Sequence, residues 1–260
     1  MAILEGLQFC SPRSDAELAL AERLHFNERV RLACQTTITG DVTLRRLILD
    51  DRDAELTDQR ETAAVHGPVG EERCIAILFV DIRDSTAFAE ALPPFDVIHV
   101  LRRFYNHVET AVDRNDGHVG SYLGDGLMAL FDGERSGCAA LQAVTAGLEM
   151  LSSVKRDMRP YVKRLFQREF RIGVGVHYGE VVVGTVGTAG IERLTAIGDA
   201  VNVAQRVEAA NKGAGTMFLV SDSVFAQVQG RVREGKTIRV ELQGKTGEHT
   251  LHEIVGATRP

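Results

Sequence analysis

The sequence lacks the cysteine spacing that a disulfide framework or a structural zinc site requires. Its 260 residues include four cysteines, which lie far apart and form no C-x-x-C pair: Cys10, Cys34, Cys74 and Cys138. Disulfide-rich domains and zinc sites carry their cysteines at short, regular spacings. The composition therefore predicts a protein of a reducing compartment, and we expect a cytoplasmic location.

The sequence also lacks a long basic block and a long apolar run. The net charge is −6, and no cluster of Lys and Arg stands out that would neutralise the phosphates of a nucleic acid. The apolar runs are well short of the roughly 20 residues that a membrane-spanning helix needs, and no signal-peptide pattern is present. We expect neither a nucleic-acid partner nor a membrane span.

Polar residues and helix breakers divide the chain into two unequal parts. The stretch ELTDQRETAAVHGPVGEE, from Glu55 to Glu72, is polar and contains Gly67-Pro68, which is typical of a linker. We predict a small segment over residues 1–53, a linker over 54–71 and a larger domain over 72–257.

The small segment contains two local patterns. A helical run extends from Asp15 to Leu24. From Val30 to Leu44, apolar and polar residues alternate, and the turn residues Thr39-Gly40-Asp41 interrupt them. We therefore predict one helix followed by a small hairpin.

The larger domain alternates strand and helix patterns. Period-two and period-three-to-four apolar spacings predict a strand, a helix, two strands, a helix, two strands, a helix and a strand. These are Ile75–Val80, Pro94–Val112, the pair within Gly117–Phe131, Ser136–Val154, Arg171–Val176, Glu180–Gly184, Ala200–Ala210 and Met217–Val220. Two helices over a sheet in this order predict an α+β fold of the ferredoxin-like split βαβ type, with an extra helix and strand.

Two aspartates end neighbouring strands of this predicted sheet. Asp81 follows the buried run Ile75–Val80, and Asp125 lies between two glycines at the tip of the hairpin within Gly117–Phe131. If the strands pair, the two carboxylates converge, and they repel one another unless a cation lies between them. Mg²⁺ and Mn²⁺ suit such a pair, because they leave other coordination positions to phosphate oxygens. The alternative is an ordinary turn aspartate and a helix-capping Asp81.

A third segment places an amide and a guanidinium on one helix face. The loop Thr195–Asp199 leads into a predicted helix on which Asn202 and Arg206 are four residues apart. Such a pair is suited to orienting a sugar and neutralising charge on a transferring phosphorus. The alternative is a solvated helix face without a ligand.

Four segments together resemble the catalytic domain of class III nucleotidyl cyclases over roughly Glu72 to Val255. They read LFVDIRDSTAFAE, GHVGSYLGDGLMALF, RIGVGVHYGEVVVGTVG and TAIGDAVNVAQRVE. The resemblance implies that the ribose 3′-hydroxyl of ATP or GTP attacks the α-phosphorus and that pyrophosphate leaves. It also implies two divalent metal ions, Mg²⁺ or Mn²⁺, in each site.

The resemblance assigns roles residue by residue. Asp81, Asp125 and the backbone of Ile82 would hold the metals, and Asn202 would orient the ribose. Arg206 would stabilise the pentavalent phosphorus, and Lys245 in LQGKTGEHTLHEIV would contact the terminal phosphates. Backbone N–H groups of one loop would bind the triphosphate: those of Ile82, Arg83, Asp84, Ser85 and Thr86.

Two positions depart from the family pattern. Adenine-selective members carry a lysine where this chain has Ser121, whereas Thr195 fits the threonine-bearing branch of the family. We expect ATP as the substrate, with a guanylate cyclase as the alternative. Asp84-Ser85 replaces the Gly-Phe of many relatives, and the extra carboxylate beside the phosphate loop is a mild electrostatic handicap unless Arg83 pairs with it. A nucleotide-binding module with little turnover is the other alternative.

The resemblance also implies partners. Class III members are head-to-tail dimers in which the metal aspartates and the Asn/Arg helix of one site come from different chains. We therefore expect a homodimer with shared sites, with VVVGTVGTAGIERL as the projecting arm that contacts the partner.

The small segment resembles the end of a [2Fe–2S] ferredoxin domain. The similarity rests on RVRLACQTTITGDVTLRRL, which contains Cys34, but the C-x₄-C-x₂-C run that supplies three cluster ligands is missing. We expect a truncated ferredoxin-like segment without an iron–sulfur cluster, and Cys34 as a buried small apolar residue.

Overall fold

The computed structural model describes residues 1–23, 26–46, 70–133, 137–186, 193–242 and 247–258. The chain divides into two compact units. The first contains residues 1–72 together with 182–192, and the second contains residues 73–181 together with 193–260. We call them the N-terminal unit and, after the resemblance described above, the catalytic unit.

The N-terminal unit contains a helix and a two-stranded sheet. Its elements are β1 (Ala2–Glu5), a 3₁₀ turn (Leu7–Phe9), α1 (Asp15–Arg23) and β2 (Thr43–Arg45). The predicted helix is confirmed, and its last predicted residue, Leu24, lies outside the described residues.

The predicted hairpin around Thr39-Gly40-Asp41 is wrong. β2 pairs antiparallel with β1 near the start of the chain, and Val30 forms only an isolated bridge to Ala2. The turn residue Gly40 packs closely against the ring of Phe9. A Cβ atom at position 40 would lie only 2.7 Å from a ring carbon. The segment is therefore held by distant partners and not by its own neighbours.

A buried ion pair joins α1 to the following loop. Arg31 donates through Nε and Nη2 to the two carboxylate oxygens of Glu17 at 2.8 and 2.9 Å, and the Leu32 N–H donates to the same carboxylate at 2.8 Å. These hydrogen bonds, led by those from Arg31, lower the pKa of Glu17. Cys34 is exposed, so the expectation of a buried cysteine is wrong.

The catalytic unit is built on a mixed sheet. The strand order among the described residues is β4-β5-β3-β6-β8-β10-β9, and β7 pairs with β6. The strands are β3 (Glu71–Ile82), β4 (His118–Tyr122), β5 (Gly126–Phe131), β6 (Ile172–Val186), β7 (Arg193–Ile197), β8 (Phe218–Ser221), β9 (Val232–Glu241) and β10 (Glu248–Ala257). This arrangement confirms the predicted α+β fold.

Helices cover the sheet and bury its core. They are α2 (Ser85–Glu90), α3 (Pro94–Arg114), α4 (Ala139–Ser153), α5 (Arg159–Phe166), α6 (Asp199–Ala214) and α7 (Asp222–Val228), with a π-helical turn (Val154–Met158) between α4 and α5. In α3, proline at the first turn presets the backbone for the helix. Val100, Phe104 and Val108 then recur every four residues and face the core.

The two strands predicted over Arg171–Val176 and Glu180–Gly184 form one continuous strand, β6. Gly179 lies between the two predicted strands. Its role is close packing, because a Cβ atom there would lie 2.9 Å from the side chain of Ala200. No helix in the described part of the chain has both the length and the apolar content to cross a membrane.

Candidate active site

The structure brings Asp81 and Asp125 together at the end of two paired strands. β3 and β5 are antiparallel, and Asp81 lies opposite Gly126. The Ile82 N–H donates to the Asp81 carboxylate at 2.9 Å and to the Asp125 carbonyl at 3.2 Å. Burial, followed by the charge of Asp125, raises the pKa of Asp81. The two carboxylates therefore lie close together in a partly desolvated site, as the sequence predicted.

The hairpin tip that carries Asp125 requires its two glycines for different reasons. Gly124 has φ +77°, in the left-handed region that favours glycine. A Cβ atom on Gly126 would lie 2.8 Å from the Val80 carbonyl oxygen and 3.0 Å from the Asp81 carboxylate. The Tyr105 hydroxyl, on α3, donates to the Gly124 carbonyl and holds the tip from the helix side.

The donor set at this tip fits a hard divalent cation. Two half-buried carboxylates of like charge favour a cation between them, and Mg²⁺ or Mn²⁺ accepts one or two carboxylates with phosphate and water oxygens in the remaining positions. The described residues contain no group of three or more His, Cys, Asp or Glu side chains that could hold a metal alone.

The loop after β3 offers fewer free amides than the sequence predicted. The Ile82 N–H is bonded as described above, and the Arg83 N–H donates to the Arg171 carbonyl at 2.9 Å. The prediction for these two amides is therefore corrected, because both already have acceptors within the chain. The predicted binding of the triphosphate would therefore rest on the backbone N–H groups of Asp84, Ser85 and Thr86.

Asp84 pairs with Arg171 and not with Arg83, so Arg83 does not offset the extra carboxylate. Its carboxylate lies 3.6 Å from the Arg171 guanidinium, with both side chains largely exposed. Asp84 has φ +57°, a left-handed conformation that aspartate tolerates better than most residues.

Arg83 instead forms a buried ion pair with Glu208 on α6. Its Nη2 donates to the Glu208 carboxylate at 2.6 Å and to the Glu208 carbonyl at 3.2 Å. Burial raises the pKa of Glu208 to about 7 in spite of Arg83, and the charges of Asp81 and Asp125 act in the same direction. Glu208 is not among the residues that the sequence patterns predicted. The glycines at 173 and 175 are the one signal for it, because alternating glycines on a strand indicate close packing on one face.

Helix α6 presents Asn202 and Arg206 on one face, as predicted. Asn202 is exposed, whereas Arg206 is half-buried and lines an open pocket of about 530 Å³ with residues of β9, among them Ile238 and Val240. Residues two apart on an α-helix point about 200° apart. Arg206 and Glu208 therefore lie on opposite sides of α6.

The strands that carry Ser121 and Thr195 lie beside one another. Both residues are half-buried, on β4 and β7 respectively. Next to them, the Arg193 guanidinium lies 5.5 Å from the ring centroid of Tyr122. The Tyr122 hydroxyl donates to Glu109 at 2.7 Å, and this bond is the main reason that the pKa of Tyr122 rises to about 12. The structure thus brings Ser121 and Thr195, the two positions predicted to select the base, to one region.

Two predicted features lie outside the described residues. Lys245 falls within residues 243–246, and the centre of the predicted arm falls within residues 187–192. Their predicted roles stay predictions.

Known proteins resemble this chain over the catalytic unit. Residues 68–254 match the family described as the adenylate and guanylate cyclase catalytic domain. The chain is 32% identical over 187 residues to an adenylate cyclase of Anabaena cylindrica, covering 70% of this chain and 37% of that protein. It is 30% identical over 192 residues to adenylate cyclase 1 of Rhizobium meliloti, covering 71% of this chain and 28% of that protein. The chain thus spans about a third of the length of these relatives.

Solved structures show the same architecture. The crystal structure of the guanylyl cyclase Cya2 superposes with a TM-score of 0.67 at 26% identity, covering 74% of this chain and 96% of that one. The adenylyl cyclase CyaB from P. aeruginosa has the same fold, with a TM-score of 0.66 at 21% identity over 73% of this chain and 97% of that one. Sequence, fold and the convergence of Asp81 with Asp125 agree: this chain belongs to the adenylate and guanylate cyclase catalytic domain family.

Proposed function

We propose that this chain is a class III adenylate cyclase that converts ATP to 3′,5′-cyclic AMP and pyrophosphate. The observation that supports it most is the convergence of Asp81 and Asp125 at the ends of β3 and β5. Asn202 and Arg206, side by side on α6, provide the ribose-binding and phosphate-stabilising groups that the reaction needs.

The proposed reaction is a displacement within one nucleotide. The ribose O3′ forms a bond to the α-phosphorus, the bond from that phosphorus to the bridging oxygen breaks, and the 3′-hydroxyl proton is released. Divalent cations held by Asp81 and Asp125 would lower the pKa of the 3′-hydroxyl and neutralise phosphate charge. Asn202 holds the ribose in position, and Arg206 offsets the negative charge that grows on the phosphorus. Backbone amides of residues 84–86 hold the triphosphate.

We propose further that the active form is a head-to-tail homodimer. Within one chain, α6 faces the end of β3 with Glu208, and it turns Arg206 to the opposite side. A second chain would bring its own Asn202 and Arg206 to the carboxylates of the first. The strand residue Ile197 is 66% exposed, which is consistent with an apolar side chain that a partner covers.

ATP is favoured over GTP by the relatives and by Thr195. The relatives from Anabaena cylindrica and Rhizobium meliloti are both called adenylate cyclases. A guanylate cyclase is the second candidate, because Ser121 is too short and uncharged to take over the role of the adenine-selecting lysine, and a related structure is that of a guanylyl cyclase.

Product analysis tests the proposal directly. The purified chain is incubated with Mn²⁺ and either ATP or GTP, and cyclic nucleotide and pyrophosphate are quantified. We expect cyclic AMP and pyrophosphate in equal amounts. A predominance of cyclic GMP would keep the mechanism and change the substrate. Nucleotide binding without either product would instead identify a binding module.

A further inference from the structure

We propose that the Arg83–Glu208 ion pair is a positioning element that links, within one chain, the metal carboxylates of one active site to the Arg206 helix of the other. The inference rests on the proposed function, in which the metal carboxylates and α6 of one chain serve different sites. Arg83 lies two residues after Asp81, and Glu208 lies two residues after Arg206. Each end of the ion pair is therefore attached to the machinery of a different site.

The pair is enclosed tightly enough to transmit a displacement. The Arg83 and Glu208 side chains are only 17% and 9% exposed. A Cβ atom on Gly173 would lie 1.6 Å from the Arg83 guanidinium, and one on Gly175 would lie 2.2 Å from the Glu208 backbone nitrogen. The two glycines of β6 thus leave a space that the ion pair and the α6 backbone fill. Because atoms in such a close-packed region have little room, a shift of one group moves its neighbours.

Helix α6 is also tied to β6 next to the ion pair. The Asn211 side chain is fully buried and donates to the Val174 carbonyl at 2.8 Å and to the Glu208 carbonyl at 2.9 Å. The Thr216 hydroxyl in turn donates to the Asn211 side chain at 2.9 Å. The C-terminal half of α6 is therefore anchored to β6, and the Arg83–Glu208 salt bridge connects the helix to the end of β3.

The two ends of the pair have different functional neighbours. At the Arg83 end, the next backbone groups belong to Ile82 and Asp81, whose carboxylate shares its place with Asp125. At the Glu208 end, one half-turn of helix leads to Arg206. When metal and nucleotide fill one site, the end of β3 and Arg83 are held more firmly. Through Glu208 this fixes the helix that delivers Arg206 to the other site.

The proposal predicts an effect that depends on which chain carries the broken pair. Mixing the Asp81→Ala chain with the Arg206→Ala chain yields heterodimers with one complete site. In that site, Arg206 comes from the Asp81→Ala chain and the metal carboxylates come from the Arg206→Ala chain. Glu208→Gln, which keeps the shape of the side chain and removes its charge, is then added to one chain or to the other.

The expected results differ between the two placements. With Glu208→Gln on the chain that supplies Arg206, kcat falls by about tenfold, a size typical of coupling through packed side chains, and the Mn²⁺ requirement is unchanged. With Glu208→Gln on the chain that supplies the carboxylates, the Mn²⁺ concentration for half-maximal activity rises and kcat changes little. Electron paramagnetic resonance of bound Mn²⁺ with an unreactive ATP analogue measures the second effect without turnover.

A second buried Arg–Glu pair in the same chain provides the control. Glu17→Gln breaks the Arg31–Glu17 pair of the N-terminal unit, which has the same residue types and is more deeply buried. It should change neither kcat nor the Mn²⁺ requirement in either placement. If Glu208→Gln prevents folding, Arg83→Met/Glu208→Met replaces the pair with apolar side chains, which buried ion pairs often tolerate.

The outcomes separate this inference from the proposed function. No activity in the parent mixture would reject shared sites, and with them the basis of the coupling. Restored activity in that mixture, with the same effect of Glu208→Gln in both placements, would overturn the coupling and leave the proposed function standing.

Discussion

The described part of the chain contains two Arg–Glu pairs whose side chains are largely buried, and they differ in almost everything except composition. In the N-terminal unit, Glu17 receives two hydrogen bonds from Arg31 and a third from the Leu32 amide. In the catalytic unit, the Glu208 carboxylate receives one from Arg83. The pKa of Glu17 is lowered, whereas that of Glu208 is raised to about 7.

The surroundings explain the opposite pKa shifts. The donors around Glu17 satisfy its carboxylate and outweigh the cost of burial. Around Glu208, burial dominates, and the charges of Asp81 and Asp125 add to it. An Arg–Glu pair whose carboxylate receives several hydrogen bonds stabilises its unit. In a pair with fewer hydrogen bonds, next to other carboxylates, the pKa of the glutamate changes when the charge of those carboxylates changes. A cation at Asp81 and Asp125 would relieve part of this repulsion.

The largest effect is expected when the satisfied pair is broken. Glu17→Gln should destabilise the N-terminal unit by about 3 kcal/mol, because it leaves a buried guanidinium without its counter-charge. Hydrogen exchange of the β1 and α1 amides measures this unit separately. Glu22→Gln, at an exposed position of the same helix, serves as the control. Unchanged exchange in Glu17→Gln would show that the pair contributes no net stability.

The next effect tests the packing around the other pair. Gly175→Ala should destabilise the catalytic unit by about 2 kcal/mol, a typical cost of overpacking, because the new methyl would press on the α6 backbone. Gly213→Ala on α6 meets no atom within 4 Å and should stabilise the helix by up to about 1 kcal/mol. Thermal unfolding of both variants checks the contrast. Equal melting temperatures would mean that β6 and α6 have room to separate.

The two carboxyls should also give the two units different pH dependence. The neutral form of Glu208 is favoured in the folded state, so its contribution to stability is greatest at low pH and falls as pH rises from about 4.5 to about 7. The contribution of Glu17 is present above its unfolded pKa and is lost as pH falls through its lowered folded pKa. Each slope is at most about 1.4 kcal/mol per pH unit.

Denaturation at several pH values, without metal, measures these slopes. The difference between the wild-type chain and each Glu→Gln variant isolates one carboxyl. Hydrogen exchange then assigns each slope to its unit. Parallel slopes for the two carboxyls would contradict the assignment of opposite pKa shifts.

The smallest effect concerns the hairpin tip. Tyr105→Phe removes the hydroxyl that holds the Gly124 carbonyl, a hydrogen bond worth about 1 kcal/mol. We expect the half-saturating Mn²⁺ concentration to rise severalfold with little change in melting temperature. Tyr122→Phe is the matched control, because that ring contacts Tyr105 but its hydroxyl bonds to Glu109. Equal responses of the two variants would assign Tyr105 to packing alone.

Local signals in the sequence predicted the parts of the site that depend on local structure. Asp81 and Asp125 end a buried strand and a hairpin, and strand pairing alone brings them together. Asn202 and Arg206 share a face because of helix periodicity. The Arg83–Glu208 pair joins residues that are 125 positions apart. Nothing in the sequence near Arg83 shows that its ion-pair partner is Glu208 and not Asp84, the exposed residue next to Arg83.

The errors elsewhere have the same origin. The alternation from Val30 to Leu44 predicted a local hairpin, but β2 found its partner in β1, which propensity within a short window does not detect. The two strands predicted where β6 is continuous are separated by residues that include Gly179, and glycine is found at turns as well as at sites of close packing. Only the position of Ala200 in space distinguishes the two.

The side-chain-free space on β6 has a consequence for protein engineering. Gly173, Gly175, Arg83 and Glu208 occupy one volume, so a change at one position alters what the other three tolerate. Chimaeras that exchange α6 between relatives should therefore fail when the helix is moved alone. They should succeed when all four positions are transplanted as a set, which makes this cluster, and not the helix, the natural unit of exchange.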